Sequence, residues 1–151
     1  MLSVDAYLTF CDETLDAYAG IVRSLGDPLV NATVAGVDGS NSAYAVVSHV
    51  VGVMGRWART VNRGIVVPRD RDAEFTATGT VEEALALLET GRARLHEDVR
   101  AADPAAAPEN PSEGRDDDYA TQGEVLLHVY EELAQHLGQL EVTRDVLLAR
   151  S

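Results

Sequence analysis

The 151-residue chain has no lysine, one cysteine, one tryptophan and two phenylalanines. Each shortage excludes something. A lone cysteine, Cys11, rules out an intramolecular disulfide framework. Aromatic residues make up 5% of the chain against 46% hydrophobic residues, so the core must be aliphatic. The twelve basic residues, all arginine, are outnumbered by 25 acids, and no basic run offsets the net charge of −13. Binding to nucleic acid or to an anionic membrane surface needs clustered cations, so neither partner is expected. No apolar run approaches the ~20 residues that span a bilayer. The segment Met1-Leu2-Ser3-Val4-Asp5 lacks the basic and apolar regions of a signal peptide, which predicts a cytoplasmic protein.

What is present is helical periodicity, over a length that fits one domain spanning residues 1–151. From Ser3 to about Leu25, the residues Leu8, Cys11, Leu15, Tyr18 and Val22 recur at spacings of three and four. Gly26-Asp27-Pro28 stops this helix, and Cys11 on its stripe reads as a small core residue. A turn-rich stretch ending in Ser40-Asn41-Ser42 caps a second helix, expected over 42–62, whose seam is Val46, Val50, Met54, Trp57 and Val61. Its Gly52 and Gly55 leave room for a close neighbour. Residues 63–79 make a connection long enough for a crossover along a bundle, and its Arg69-Asp70-Arg71-Asp72 alternation reads as solvated. A capping box of Thr80 and Glu83 opens the third helix, with Ala84, Leu87, Leu88, Leu95 and Val99 on its apolar face. Amid Arg94, Glu97 and Asp98, His96 reads as a surface histidine. Residues 101–118, with Pro104, Pro108 and Pro111, form a linker. The Asp116-Asp117-Asp118 run in it lacks the alternating oxygens and glycine of a calcium loop. A second capping box, Thr121 with Glu124, opens a fourth helix reaching about Ala149. The fold class is all-α.

The fourth helix carries the chemistry. His128, Glu132 and His136 stand four apart, so neighbouring members of the row can share one ion. The apolar seam is Leu126, Val129, Leu133, Leu137, Leu140 and Leu147. At ~100° per residue from Leu133, His136 falls about 60° away, Glu132 about 100° and His128 about 140°. The first two can therefore face a neighbouring helix, while His128 points more outward, as a bystander or a support for Glu132. On the second helix His49 sits at the shoulder of the seam, about 100° from Val50, and is the candidate third donor. Two imidazoles and one carboxylate form a known catalytic zinc set with a coordination position left open. The same donors also suit nickel or iron. The plainer alternative is a Glu132–His136 surface pair, contributing a few tenths of a kcal/mol. Arg144 lies about 20° from Leu133, where a guanidinium needs an anionic partner: a structural ion pair, or a substrate carboxylate that it clamps.

Ser48-His49-Val50, the run from Leu127 to Leu140 and the closing Thr143-Arg144-Asp145 together resemble the DinB/YfiT-like metal-binding four-helix proteins. The resemblance is to the mycothiol-dependent branch, which includes maleylpyruvate isomerase and thiol S-transferases, and the carboxylate at Glu132 is the form of that branch. It implies an up-down-down-up bundle with a long connection between helices two and three, and frequent dimers. It implies metal ligation by His49, Glu132 and His136, with a divalent ion, zinc before nickel or iron, and a mycothiol-type thiol as cosubstrate. The activity implied is S-transfer to an electrophile, ahead of thiol-dependent isomerisation. A helical module that binds a metal or a partner without turnover is the competing reading.

Overall fold

Among the described residues, every α-helix begins at a side-chain oxygen that accepts the backbone N–H three residues on. Ser3 caps α1 (Val4–Leu29), Ser42 caps α2 (Ala43–Met54), and Asp70 caps the short α3 (Arg71–Thr76). Thr80 and Thr121 start α4 (Val81–Ala101) and α5 (Gln122–Arg150), each with its reciprocal glutamate, as the capping-box spacing predicts. A computed structural model describes residues 3–110 and 119–151. The Asp116-Asp117-Asp118 run and Pro111 lie outside the described residues.

The described residues contain helices and no strand, so the all-α expectation holds. Named contacts give the helix directions. The Tyr7 hydroxyl donates to the Leu126 carbonyl and that of Tyr18 to the Leu133 carbonyl, so α1 and α5 run parallel. Arg92 meets Asp12 and Asp16 while Arg100 meets Asp5, so α4 runs against α1. Tyr44 lies by Gly79 and Met54 by Gly91, which makes α2 parallel to α4. The His49–His136 and Trp57–His128 ring contacts make α2 antiparallel to α5. The order is up-down-down-up, with the 63–79 connection crossing between α2 and α4.

The core is aliphatic where the four long helices meet, with Leu15, Val22, Val50, Leu88, Leu133 and Leu140 almost wholly covered. Cys11 is among these buried side chains. Burial pushes its thiol up to about 11, so it is an unreactive core residue.

Three features depart from the pattern-based expectation. Gly26 takes φ 65, and the helix kinks there and resumes for one turn through Pro28 instead of stopping. The second helix changes to a π-helical stretch over Gly55–Val61, a form often found beside functional sites. Asp98 is buried, bonded by Arg59 at 3.0 Å and Arg63 at 2.6 Å, while neighbouring His96 reaches across to Asp12 at 2.9 Å. Helix periodicity cannot see partners on other helices, so His96 reads as a surface histidine when it belongs to an inter-helix network. Among the described residues no helix is long and apolar enough to cross a membrane.

Candidate metal centre

Antiparallel packing of α2 on α5 brings His49 opposite Glu132 and His136. Val46, Val47, Val50 and Val53 anchor α2 in the core, and His49 is carried inward with them to 3% exposure. His136 and Glu132 stay half-buried beside Leu133, as the helix arithmetic predicts. The Nε2 atom of His136 is 3.3 Å from Glu132 Oε2, and Nε2 of His49 is 3.7 Å from the same oxygen. One donor atom from each residue lies within 4.8 Å of the other two. Donors bound at ~2.0–2.1 Å around a tetrahedral ion stand roughly 3.3–3.4 Å apart, so a small closure would fit one divalent ion among them.

The outward nitrogens strengthen that fit. Nδ1 of His49 donates to Glu74 Oε2 at 2.9 Å, and Nδ1 of His136 donates to Gln139 Oε1 at 2.9 Å. Acceptors on both Nδ1 atoms select the tautomer that leaves each Nε2 lone pair facing Glu132. Metal-binding histidines are oriented in this way, whereas a plain surface pair has no need of it. Glu74 is itself gripped by Arg69, at 2.6 Å from Nε and 2.9 Å from Nη2. Phe75 stacks on the His49 ring at 4.6 Å between centroids.

The crossover is therefore part of the site. Its charges are not simply solvated: Asp70 caps α3, which turns Glu74 and Phe75 onto His49. Gly52 makes room for it, since a Cβ there would run into the Glu74 carboxylate and the Arg69 guanidinium. Glu74, Arg69 and Phe75 are absent from the sequence-based set because a connection has no periodicity to reveal its inner face. A signal does exist, since Asp70 followed by Asp72 and Glu74 is the start of a helix. Gln139, three residues beyond His136, is within reach by helix spacing alone.

His128 differs from its expected outward pose. Its side chain is 11% exposed, edge-on to Trp57 at 4.8 Å and stacked with Tyr119 at 5.3 Å. Trp57 comes from the π-helical stretch and Tyr119 from the segment before α5, so a projection of α5 alone misses the covering. Nε2 of His128 lies 3.6 Å from Glu132 Oε1, on the side away from the other two imidazoles' shared oxygen. Arg144 bonds its neighbour Asp145 at 2.8 Å and does not line the cavity at the cluster. Eight residues past His136, it sits about two helical turns farther along, and the ion-pair alternative describes its contacts.

The cluster opens into a cavity of about 640 Å³, walled by Val53, Trp57 and Phe75 and by Arg56, Arg69 and Arg71. Glu132 is held well below the usual carboxylate range, first by contact with His136 and then by His49. Contact with Glu132 raises His136 above 6.5, and burial opposes the rise.

Two predictions follow from this geometry. Replacing Glu74 with alanine frees the His49 ring, and metal affinity falls by about 10–100-fold in a competition titration with a chromophoric chelator. Unchanged affinity would mean that Glu74 does not orient the ligand. In metal-free protein, the raised His136 contributes stability that is full below about pH 6.5 and lost as pH rises through its folded value. The lowered Glu132 contributes stability that is full above about pH 4.5 and lost on acidification. Melting curves should therefore show the destabilisation by Glu132→Gln greatest between about pH 4.5 and 6.5. A penalty independent of pH from 4 to 9 would contradict the pairing.

No curated protein matches the chain. The sequence profile of the mycothiol S-transferases matches residues 6–148, nearly its whole length, and takes in every residue of the cluster. On the strength of that match, the chain belongs to the mycothiol S-transferase family.

Proposed function

We propose that the protein is a divalent-metal-dependent S-transferase that joins a low-molecular-weight thiol, mycothiol foremost, to an electrophilic carbon. His49, Glu132 and His136 would hold the metal, for which zinc suits the two-imidazole, one-carboxylate set, with nickel and iron as alternatives. The observation that carries this reading is the anchoring of both histidines from behind, by Glu74 and Gln139, with three donors facing one point beside a cavity. Membership of the family supports the thiol as cosubstrate.

A divalent ion bound there supplies a Lewis acid that lowers the pKa of a coordinating thiol, making the thiolate nucleophile available near neutral pH. The residues of the chain do the rest. Glu74 and Gln139 fix the imidazoles, and His128, itself held between Trp57 and Tyr119, packs against the free side of the Glu132 carboxylate. The cavity walls, Val53, Trp57 and Phe75 with Arg56, Arg69 and Arg71, would admit the electrophile beside the thiol. The sulfur lone pair forms the new S–C bond, the electron pair of the broken bond leaves with the leaving group, and the thiol proton passes to solvent. We further propose that residues 1–151 act as one domain, as a homodimer in the cytoplasm.

The test uses cobalt-loaded protein. Adding mycothiol should produce a sulfur-to-cobalt charge-transfer band in the near ultraviolet, and zinc-loaded protein should conjugate the same thiol to monochlorobimane. His136→Ala should lose both the band and the activity. A fully loaded protein that gives no band and no conjugate with mycothiol or any other small thiol would contradict the transferase reading and favour a module that only binds metal.

A further inference from the structure

We propose that Arg56 and Arg71 form an anion clamp at the candidate site, and that the electrophile bears a carboxylate. This rests on the transferase reading above and names the class of its second substrate.

Six of the eleven arginines among the described residues are paired with carboxylates. Arg59 and Arg63 hold Asp98, Arg69 holds Glu74, Arg92 holds Asp12 and Asp16, Arg100 meets Asp5 and Arg144 bonds Asp145. Arg56 and Arg71 line the cavity beside His49, Glu132 and His136, and among the described residues neither has a carboxylate partner. Arg23, Arg94 and Arg150, which also lack one, lie outside this cavity.

Arg71 is held where a ligand would meet it, and Arg56 lines the same cavity. The Arg71 guanidinium lies over the Phe75 ring, 5.2 Å from its centroid, and Phe75 is stacked on His49. A cation on an aromatic face keeps its N–H edge free for a planar anion. Arg56 is half-buried on the π-helical stretch, one residue before Trp57, and lines the same cavity.

Charge balance points to the electrophile. A divalent ion, the Glu132 carboxylate and one thiolate sum to zero, and Arg69 is neutralised by Glu74. Two guanidinium charges remain over the space where the electrophile enters. A carboxylate there would gain charge-assisted hydrogen bonds, bidentate with either arginine. A neutral electrophile would leave both cations facing it unpaired.

The experiment has a binding arm and a turnover arm, both with metal-loaded protein. Titration calorimetry compares succinate with succinamide for the wild type, Arg56→Gln and Arg71→Gln. The wild type should bind succinate at least about tenfold more tightly, and each substitution should remove about tenfold of that preference. Direct binding of succinate to the metal would persist in all three proteins, so an unchanged ratio in both variants overturns the clamp. Turnover compares iodoacetate with iodoacetamide, and separately N-acetylcysteine with its amide as the thiol. A higher kcat/KM for iodoacetate, reduced in both variants, supports the assignment. A carboxylate preference found only in the thiol pair overturns it. Succinate selectivity without conjugation of any electrophile would retire the transferase and leave the clamp. Conjugation with no carboxylate preference in either arm would do the reverse.

Discussion

Glu132 faces three imidazoles, and most of the site can be understood from that one carboxylate. It shares one oxygen with His49 and His136 and turns the other toward His128. A carboxylate so surrounded stays ionised to unusually low pH, because protonating it would leave those contacts without their charge. The arrangement requires α2 and α5 to be antiparallel and in a fixed axial register. A shift of one helical turn, ~5.4 Å, would separate His49 from the other two. The valines of α2 share one buried core with Leu133 and Leu140, and that core holds the register.

Around this centre, the long crossover works as a brace. Bundles need only connect their helices, and a structureless loop would serve. Here the connection instead folds a short helix back, so that Arg69 grips Glu74, Glu74 grips His49 and Phe75 covers the ring. Gly52 is the space that allows it. The cavity is thus made of two kinds of wall: rigid helix on the α2 and α5 sides, and the crossover on the third. Its arginines come from both, Arg56 from the π-helical stretch and Arg69 and Arg71 from the crossover. The result is a cationic pocket in a strongly acidic chain.

The parts legible from sequence are those governed by a period or a local cap. Thr80 with Glu83 and Thr121 with Glu124 marked two helix starts, and the spacing of Glu132 and His136 relative to Leu133 put both on the inner shoulder of α5. His49 followed from the second helix in the same way. What stayed hidden depends on contacts between segments. Glu74 lies in a connection and His128 is covered by Trp57 and Tyr119 from elsewhere in the chain. His96 reads as a surface histidine because Asp12 is remote in sequence, and the burial of Asp98 is hidden because Arg59 and Arg63 are remote too. Arg144 was legible as needing an anion, and Asp145 beside it supplies one.

The central claim is that His49, Glu132 and His136 together hold one divalent ion. Elemental mass spectrometry of protein purified without an affinity tag, beside His49→Ala and Glu132→Ala, tests it most directly. The account predicts about one equivalent of metal in the wild type and loss from both variants, with all three proteins folded by circular dichroism. Wild-type protein that retains no metal after incubation with zinc or nickel, or variants that retain as much as the wild type, would contradict it.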